Sequence, residues 1–171
     1  MKMNLSAAIV CFSLLTVGCG QTETATTQGK SVEIDTRYAA TTEPADAVPV
    51  GDARINSEDG QDITLVGVIG GSSKPFVEGL AAFTVVDPKV PSCAAEEGCP
   101  TPWDYCCTQD QVKENVATIK IVDDSGEPIS KDAREFLNIK ELSTVVVTGK
   151  AKRDDQGNLT VAANKVFVKT E

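Results

Sequence analysis

The stretch STVVVTGKAKRDDQGNLTVAANKVFVK, residues 143–169, decides the fold of this chain. Two runs rich in β-branched residues, 143–152 and 158–169, flank the acidic and Gly-containing segment 154–158. Such a segment between two apolar runs is a strong signal for a hairpin turn. The second run changes phase once, which predicts one extra residue and therefore a β-bulge or bend. Its apolar positions are Leu159, Val161 and Ala163, followed by Val166 and Val168.

Three further β-rich runs precede this hairpin, at residues 63–71, 81–87 and 116–124, and the first has Gly67 at its centre. Between the third and fourth runs, the segment SKDAREFLN (130–138) predicts a short helix. Its first residue, Ser130, is suited to cap the helix N-terminus. The apolar face of this helix would consist of Ala133, Phe136 and Leu137.

This order of elements resembles the OB-fold, a small five-stranded Greek-key barrel. The resemblance implies a mainly β domain, which we expect over residues 51–171. OB domains that bind single-stranded nucleic acid carry aromatic and basic residues on their second and third strands. Here those strands offer only Phe83 and Lys120, and the whole chain has a net charge of −9, so nucleic acid is not expected as a partner. The resemblance instead implies a protein or saccharide ligand bound through loops such as 70–79, with Phe76 at the loop tip expected to pack back onto the barrel.

The N-terminus predicts export from the cytoplasm. One Lys in the first four residues is followed by an almost wholly apolar run, 5–17, that ends in small residues. This run is too short to span a bilayer core as a helix, which takes about 20 residues. A short charged segment, a short apolar run and a small-residue exit are typical of a signal peptide, here residues 1–18.

The exit sequence Leu15-Thr16-Val17-Gly18-Cys19 resembles the processing site of bacterial lipoproteins. The resemblance implies that Cys19 becomes the lipidated first residue of the mature protein, held in the membrane by acyl chains such as palmitate. Cys11 lies inside the apolar run and would be removed with the signal. We therefore expect a lipid-anchored protein that faces the periplasm of a bacterial envelope, with the outer membrane favoured because residue 20 is Gly rather than Asp.

After Cys19 the chain is rich in Thr, Ala and acidic residues up to about residue 50, without a helical or strand period. Such a segment cannot bury enough apolar surface to offset its ordering entropy. Residues 19–50 are therefore predicted to be the lipidated Cys followed by a disordered tether.

Enzymatic activity is not expected, and no catalytic residues are assigned. The chain contains no His, which removes the commonest general base and the commonest metal ligand. Phosphate-binding, dinucleotide-binding and nucleophile-elbow motifs do not occur in the sequence.

Four cysteines lie in the long connection between the second and third runs, and three of them fall within CPTPWDYCC, residues 99–107. An even number of cysteines in an exported domain predicts disulfides, with Cys106 and Cys107 each bonded back to Cys93 or Cys99 because adjacent cysteines rarely pair. Two disulfides would then staple the loop, and no cofactor would be needed.

Two alternatives use the same thiols. Four thiolates can bind Zn²⁺ or Cu⁺, although the spacing lacks paired C-x2-C knuckles. The second alternative is a thiol-redox site. Thr108-x-x-Gln111 resembles a capping box that would begin a helix at about 109–114. Cys106 and Cys107 would then lie just before the helix N-terminus, where a thiolate is favoured.

Trp103 and Tyr105 are predicted to pack this loop onto the barrel. Together with Asp104 and Phe76 they are also the candidate recognition patch. The chain resembles planctomycete-type lipoproteins with a similar PWDYCC segment. The expected function is that of a membrane-anchored, non-catalytic binding or structural module, with metal binding or thiol redox chemistry at the four cysteines as the alternative.

Overall fold

The computed structural model describes residues 35–170. It is mainly β, as the sequence predicts, and its helices are short. The strands are β1 (Val48–Pro49), β2 (Asp62–Ile69), β3 (Ala82–Val86), β4 (Val116–Ile121), β5 (Thr144–Arg153) and β6 (Leu159–Val168). The α-helices are α1 (Val50–Asn56), α2 (Gln109–Val112) and α3 (Ala133–Leu137).

Strands β2 to β6 close into a barrel with the order β2-β3-β4-β6-β5, and β5 returns to pair with β2. All neighbouring strands in this ring are antiparallel except β4 and β6, which are parallel. The short β1 pairs in parallel with β2, along the edge of β2 that β5 does not occupy. A closed five-stranded barrel with this strand order, and with α3 between β4 and β5, confirms the OB-like Greek-key architecture.

The phase change in the last strand is a β-bulge, as predicted. Thr148 pairs with Lys165 whereas the next residue, Gly149, pairs with Ala163, so that Asn164 is the extra residue. A side chain on Gly149 would overlap the carbonyl oxygen of Ala162. The bulge therefore depends on a residue without a Cβ at the facing position.

Helix α3 contributes to the barrel core. Ala133, Phe136 and Leu137 are buried, which confirms the predicted apolar face. The expected cap was wrong, because Asp132 rather than Ser130 precedes the helix and accepts a hydrogen bond from the backbone N–H of Arg134. The helix is accordingly shorter at its start than the sequence indicated.

The domain begins earlier than expected. Tyr38 is only 8% exposed and packs against Phe136, with the two ring centroids 5.3 Å apart. Ala39 forms a bridge with Val166, and Val50 is fully buried at the start of α1. The predicted tether therefore contacts the barrel at Tyr38, Ala39 and Val50, before the expected boundary at residue 51, while most residues between Ala39 and Val50 are exposed or half-buried.

The signal peptide, Cys19 and the rest of the predicted tether lie outside the described residues. Within residues 35–170, none of the helices is both long enough and apolar enough to cross a membrane.

Candidate metal centre

The four cysteines lie in the connection between β3 and β4, residues 87–115. Two short 3₁₀ turns, Ala95–Glu97 and Pro102–Asp104, and helix α2 are its only regular structure. We call residues 91–108 the cysteine loop. The first turn separates Cys93 from Cys99, and the second separates Cys99 from the adjacent pair Cys106 and Cys107. The chain thereby reverses twice and returns all four residues to one place.

The four sulfur atoms converge on a common point. Cys106 Sγ lies 3.3 Å from Cys93 Sγ and 3.2 Å from Cys99 Sγ. Cys107 Sγ lies 3.9 Å from Cys99 Sγ and 3.7 Å from Cys106 Sγ. All four atoms are within 4.8 Å of one another, and all four residues are free thiols in this structure.

The turn before Cys106 is organised by Asp104. One carboxylate oxygen of Asp104 accepts a hydrogen bond from the Thr101 hydroxyl at 2.7 Å. The other accepts from the backbone N–H of Cys106 at 2.9 Å. Tyr105, which lies between Asp104 and Cys106 in the sequence, has φ 57° and ψ 35°, a left-handed conformation that is rare for a bulky residue. This conformation reverses the chain, so that Cys106 and Cys107 face Cys93 and Cys99.

Tyr105 also anchors the loop to the barrel. Its side chain is 1% exposed, and burial raises its pKa to about 12. It forms a satellite hydrophobic cluster, separate from the main core, with residues of β3, of the connection and of α2. The members are Val86, Val90, Tyr105 and Val112, with Val116 packed against them.

A second attachment joins the loop to the end of β2. The carbonyl oxygen of Trp103 accepts a hydrogen bond from the backbone N–H of Gly71 at 2.8 Å, and its indole N–H donates to the Ser73 carbonyl at 3.3 Å. A Cβ on Gly70 would lie 2.6 Å from the Trp103 carbonyl oxygen and 2.8 Å from Tyr105 Cε2. Only glycine allows this approach. This role of Gly70 and Gly71 was not predicted, although a Gly doublet at the end of a strand is the signal that indicates it.

The thiols perturb one another. The backbone N–H of Cys107 holds the pKa of the Cys93 thiol below its ordinary value. Hydrogen bonding with Cys93 raises the pKa of the Cys107 thiol to about 12, and hydrogen bonding with Cys99 raises the pKa of the Cys106 thiol. Among these three thiols, ionisation is therefore easiest at Cys93 and harder at Cys106 and Cys107. A cation at the centre would favour the thiolate form of all three.

The proposed recognition patch is not an exposed surface. Phe76 is 6% exposed and packs against Phe83 with ring centroids 5.8 Å apart, as expected for a loop that folds back onto the barrel. Tyr105 is buried, Asp104 is occupied within its own turn, and Trp103 is half-buried. The packing role predicted for Tyr105 is confirmed, and because Phe76 and Tyr105 lie in hydrophobic clusters, only Trp103 and Asp104 of the predicted patch are partly exposed.

The predicted capping box is also absent. The hydroxyl of Thr108 donates to the Pro91 carbonyl oxygen at 3.0 Å instead of bonding to the helix, and α2 spans only Gln109–Val112. Thr108 thus ties the end of the cysteine loop to its beginning, because Pro91 and Thr108 are its first and last residues.

The donor set fits a soft metal ion with tetrahedral coordination. For Zn–S bonds of about 2.3 Å, the sulfur atoms of a regular tetrahedron are separated by about 3.8 Å. The two separations that involve Cys107 Sγ, 3.7 and 3.9 Å, are close to that value. The separations of Cys106 Sγ from Cys93 Sγ and Cys99 Sγ, 3.3 and 3.2 Å, are shorter. Small outward shifts of Cys106 would bring the set to tetrahedral dimensions, and thiolate sulfur is the ligand type that Zn²⁺ and Cu⁺ prefer.

In comparisons with known proteins, no family model matches the chain and no curated protein matches it significantly, so the lipoprotein resemblance stays a prediction.

Proposed function

We propose that this protein is a lipid-anchored, non-catalytic binding module of the bacterial cell envelope whose barrel carries a four-thiolate site for one soft metal ion, Zn²⁺ or Cu⁺. The observation that carries the metal-binding part is the mutual convergence of Cys93, Cys99, Cys106 and Cys107, with all four Sγ atoms within 4.8 Å of one another.

Two disulfides do not require this convergence. Each disulfide needs only that its own two sulfur atoms meet at about 2.05 Å, while the two bonds can lie far apart. A single ion, in contrast, requires all four sulfur atoms at one point. The crowding also disfavours ionisation of Cys106 and Cys107, as their raised pKa values indicate. A cation removes that penalty, so the arrangement is more favourable with an ion than without one.

The metal content of the protein tests this proposal. The full chain is to be purified without chelator and with oxygen excluded, and its metal measured by mass spectrometry. We expect one equivalent of zinc or copper and, after removal of the metal, four thiols that react with an alkylating reagent. Metal-free protein loaded with Co²⁺ should show the intense visible absorption of a tetrahedral thiolate complex. Metal-free protein whose Cys93, Cys99, Cys106 and Cys107 resist alkylation until reduced would support the two disulfides instead and refute the metal site.

Single variants connect the metal to these residues. Cys93→Ser, Cys99→Ser, Cys106→Ser and Cys107→Ser should each weaken metal binding and alter the Co²⁺ spectrum, because each removes one sulfur donor. Ser92→Ala, beside Cys93, is the matched control and should behave as the unmodified chain. Equal metal content in all five variants would show that the ion is bound elsewhere.

The membrane anchor rests on the resemblance of residues 15–19 to a lipoprotein processing site. Cys19→Ala should release the protein from envelope membranes, because the acyl chains would have no attachment point. Cys11→Ala, which changes the same residue type inside the apolar run, should leave the protein membrane-bound. If the Cys19→Ala variant still sediments with membranes after a high-salt wash, the anchor assignment is wrong.

A further inference from the structure

The barrel core is independent of the cysteine loop. The main hydrophobic cluster is formed by the strands, by helices α1 and α3 and by flanking residues such as Tyr38 and Phe76. Among the residues described, no member of this cluster comes from 87–115. Removal of an ion from the loop therefore takes no atoms out of the main core. This differs from small zinc domains, in which the free energy of metal binding is the free energy of folding.

The loop is also held in place by contacts that do not involve sulfur. The buried Tyr105 ring, the Trp103–Gly71 hydrogen bond and the Thr108–Pro91 hydrogen bond fix its middle and its end. Cys93 N–H donates to the Pro102 carbonyl oxygen at 3.3 Å, which joins the first and second halves of the loop. The four donors are thus positioned in part by contacts that would remain if an ion left.

Exposure is graded across the four ligands. Cys93 is 6% exposed, Cys99 is intermediate, and Cys106 and Cys107 are exposed. An ion at the centre would be covered on the Cys93 side and open to solvent on the side of the adjacent pair. An incoming ligand can therefore approach from that open side without unfolding the protein.

We infer that the ion at this site is exchangeable cargo that is passed to a thiolate-bearing acceptor through the Cys106–Cys107 side, an inference that rests on the proposed function. In the exchange, a thiolate of the acceptor donates an electron pair to the ion and forms a new metal–sulfur bond. The bond to Cys106 or Cys107 breaks, and that thiolate takes a proton from solvent. No atom changes oxidation state, so neither an oxidant nor a reductant is needed.

The charge around the loop identifies the kind of acceptor. Between Lys89 and Lys113 the sequence contains no basic residue but four acidic ones. These are Glu96, Glu97, Asp104 and Asp110. A metal bound by four thiolates adds further negative charge. The acceptor thiolate should therefore lie in a positively charged surface, which lessens the repulsion during approach.

Transfer kinetics test the inference. Zinc-loaded full chain is to be mixed with the chromogenic chelator 4-(2-pyridylazo)resorcinol at increasing concentrations. If the chelator attacks the ion on the open side, the transfer rate should rise in proportion to its concentration, and the thermal transition of the barrel should persist after the zinc is removed. A rate that does not depend on the chelator, or loss of the barrel transition on zinc removal, would make the ion structural and overturn the inference. Absence of bound zinc at the start would instead refute the proposed function.

Two thiols of equal length and opposite charge test the acceptor chemistry. Cysteamine and 2-mercaptoethanesulfonate, compared at equal thiolate concentration and low salt, should both accelerate the transfer, and cysteamine should do so at least about twofold more strongly because it is cationic. Glu96→Lys should reduce this difference, whereas Glu127→Lys, the same change outside the cysteine loop, should preserve it. Equal acceleration by both thiols would overturn the positively charged acceptor.

Discussion

Replacement of Tyr105 by Ala should detach the cysteine loop while leaving the barrel folded. Tyr105 is among the largest fully buried side chains of the described residues, yet it belongs to the satellite cluster rather than to the main core. Truncation of a buried aromatic residue to Ala typically costs about 3–5 kcal/mol. We expect the lower end, about 3 kcal/mol, because a surface loop relaxes around the cavity more easily than a closed core.

This energy should appear as a loss of metal affinity. In the unmodified chain the loop is docked before an ion arrives, whereas in the variant the ion must also bring about docking. Since about 1.4 kcal/mol corresponds to a tenfold change in an equilibrium constant, about 3 kcal/mol weakens zinc binding roughly a hundredfold. Competition with a zinc chelator of known affinity measures this change. Hydrogen exchange should show lost protection in residues 93–112 and unchanged protection in the barrel strands.

Tyr38→Ala is the matched control, since the chain has only two tyrosines and both are buried. Tyr38 packs on Phe136 in the main cluster, so its truncation should lower the free energy of unfolding of the barrel by a similar amount and leave zinc affinity nearly unchanged. The anchoring role of Tyr105 is refuted if Tyr105→Ala binds zinc as tightly as the unmodified chain, or if it destabilises the barrel as much as Tyr38→Ala does.

Three further outcomes are expected. Gly149→Ala should lower the free energy of unfolding by about 1–3 kcal/mol in urea titrations, because the alanine Cβ would overlap the neighbouring strand. Its zinc affinity should not change, and an unchanged urea midpoint would contradict the bulge geometry. Deletion of residues 20–34 should leave the thermal transition in place, whereas deletion of residues 20–45 should lower it because the buried Tyr38 is lost; equal effects would refute the revised boundary. Apparent zinc affinity should fall when the pH is lowered from about 8 to about 6, because protons compete with the ion for thiolates; a flat profile in the chelator competition would argue against thiolate ligands.

The barrel strands could be predicted from the sequence because each carries its own apolar run or alternation. The bulge at Asn164 was visible for the same reason, since one extra residue moves all later side chains to the opposite face. Helix α1 was missed because its stability does not reside in its own sequence. The backbone N–H of Gly51 donates to the buried carboxylate of Asp87 at 2.7 Å, and Val50 fills space beside β2. Both interactions come from residues distant in the chain.

The candidate site could be predicted in part. The even number of cysteines and the expected export predict disulfide, metal or redox chemistry at Cys93, Cys99, Cys106 and Cys107. The sequence spacing does not distinguish two pairs of sulfur atoms from four sulfur atoms that converge. Convergence depends on the left-handed turn at Tyr105, a conformation that the residue type does not favour. It depends equally on the missing Cβ of Gly70, which directly follows β2 and lets the loop approach.

The ends of the connection explain how a barrel can carry such a loop without losing stability. Val86 pairs with Val116 in the β3–β4 ladder, and the backbone N–H of Asp87 donates to the Asn115 carbonyl at 2.8 Å. The two strands are therefore joined at the base of the connection, whatever lies between. Because the entropy of closing a loop grows only slowly with its length, the long excursion adds little to the free energy that the ladder must supply. The barrel in turn provides a fixed base on which Tyr105 and Gly70 position the cysteine loop, and in the proposed exchange this base would keep the site from collapsing when the ion leaves.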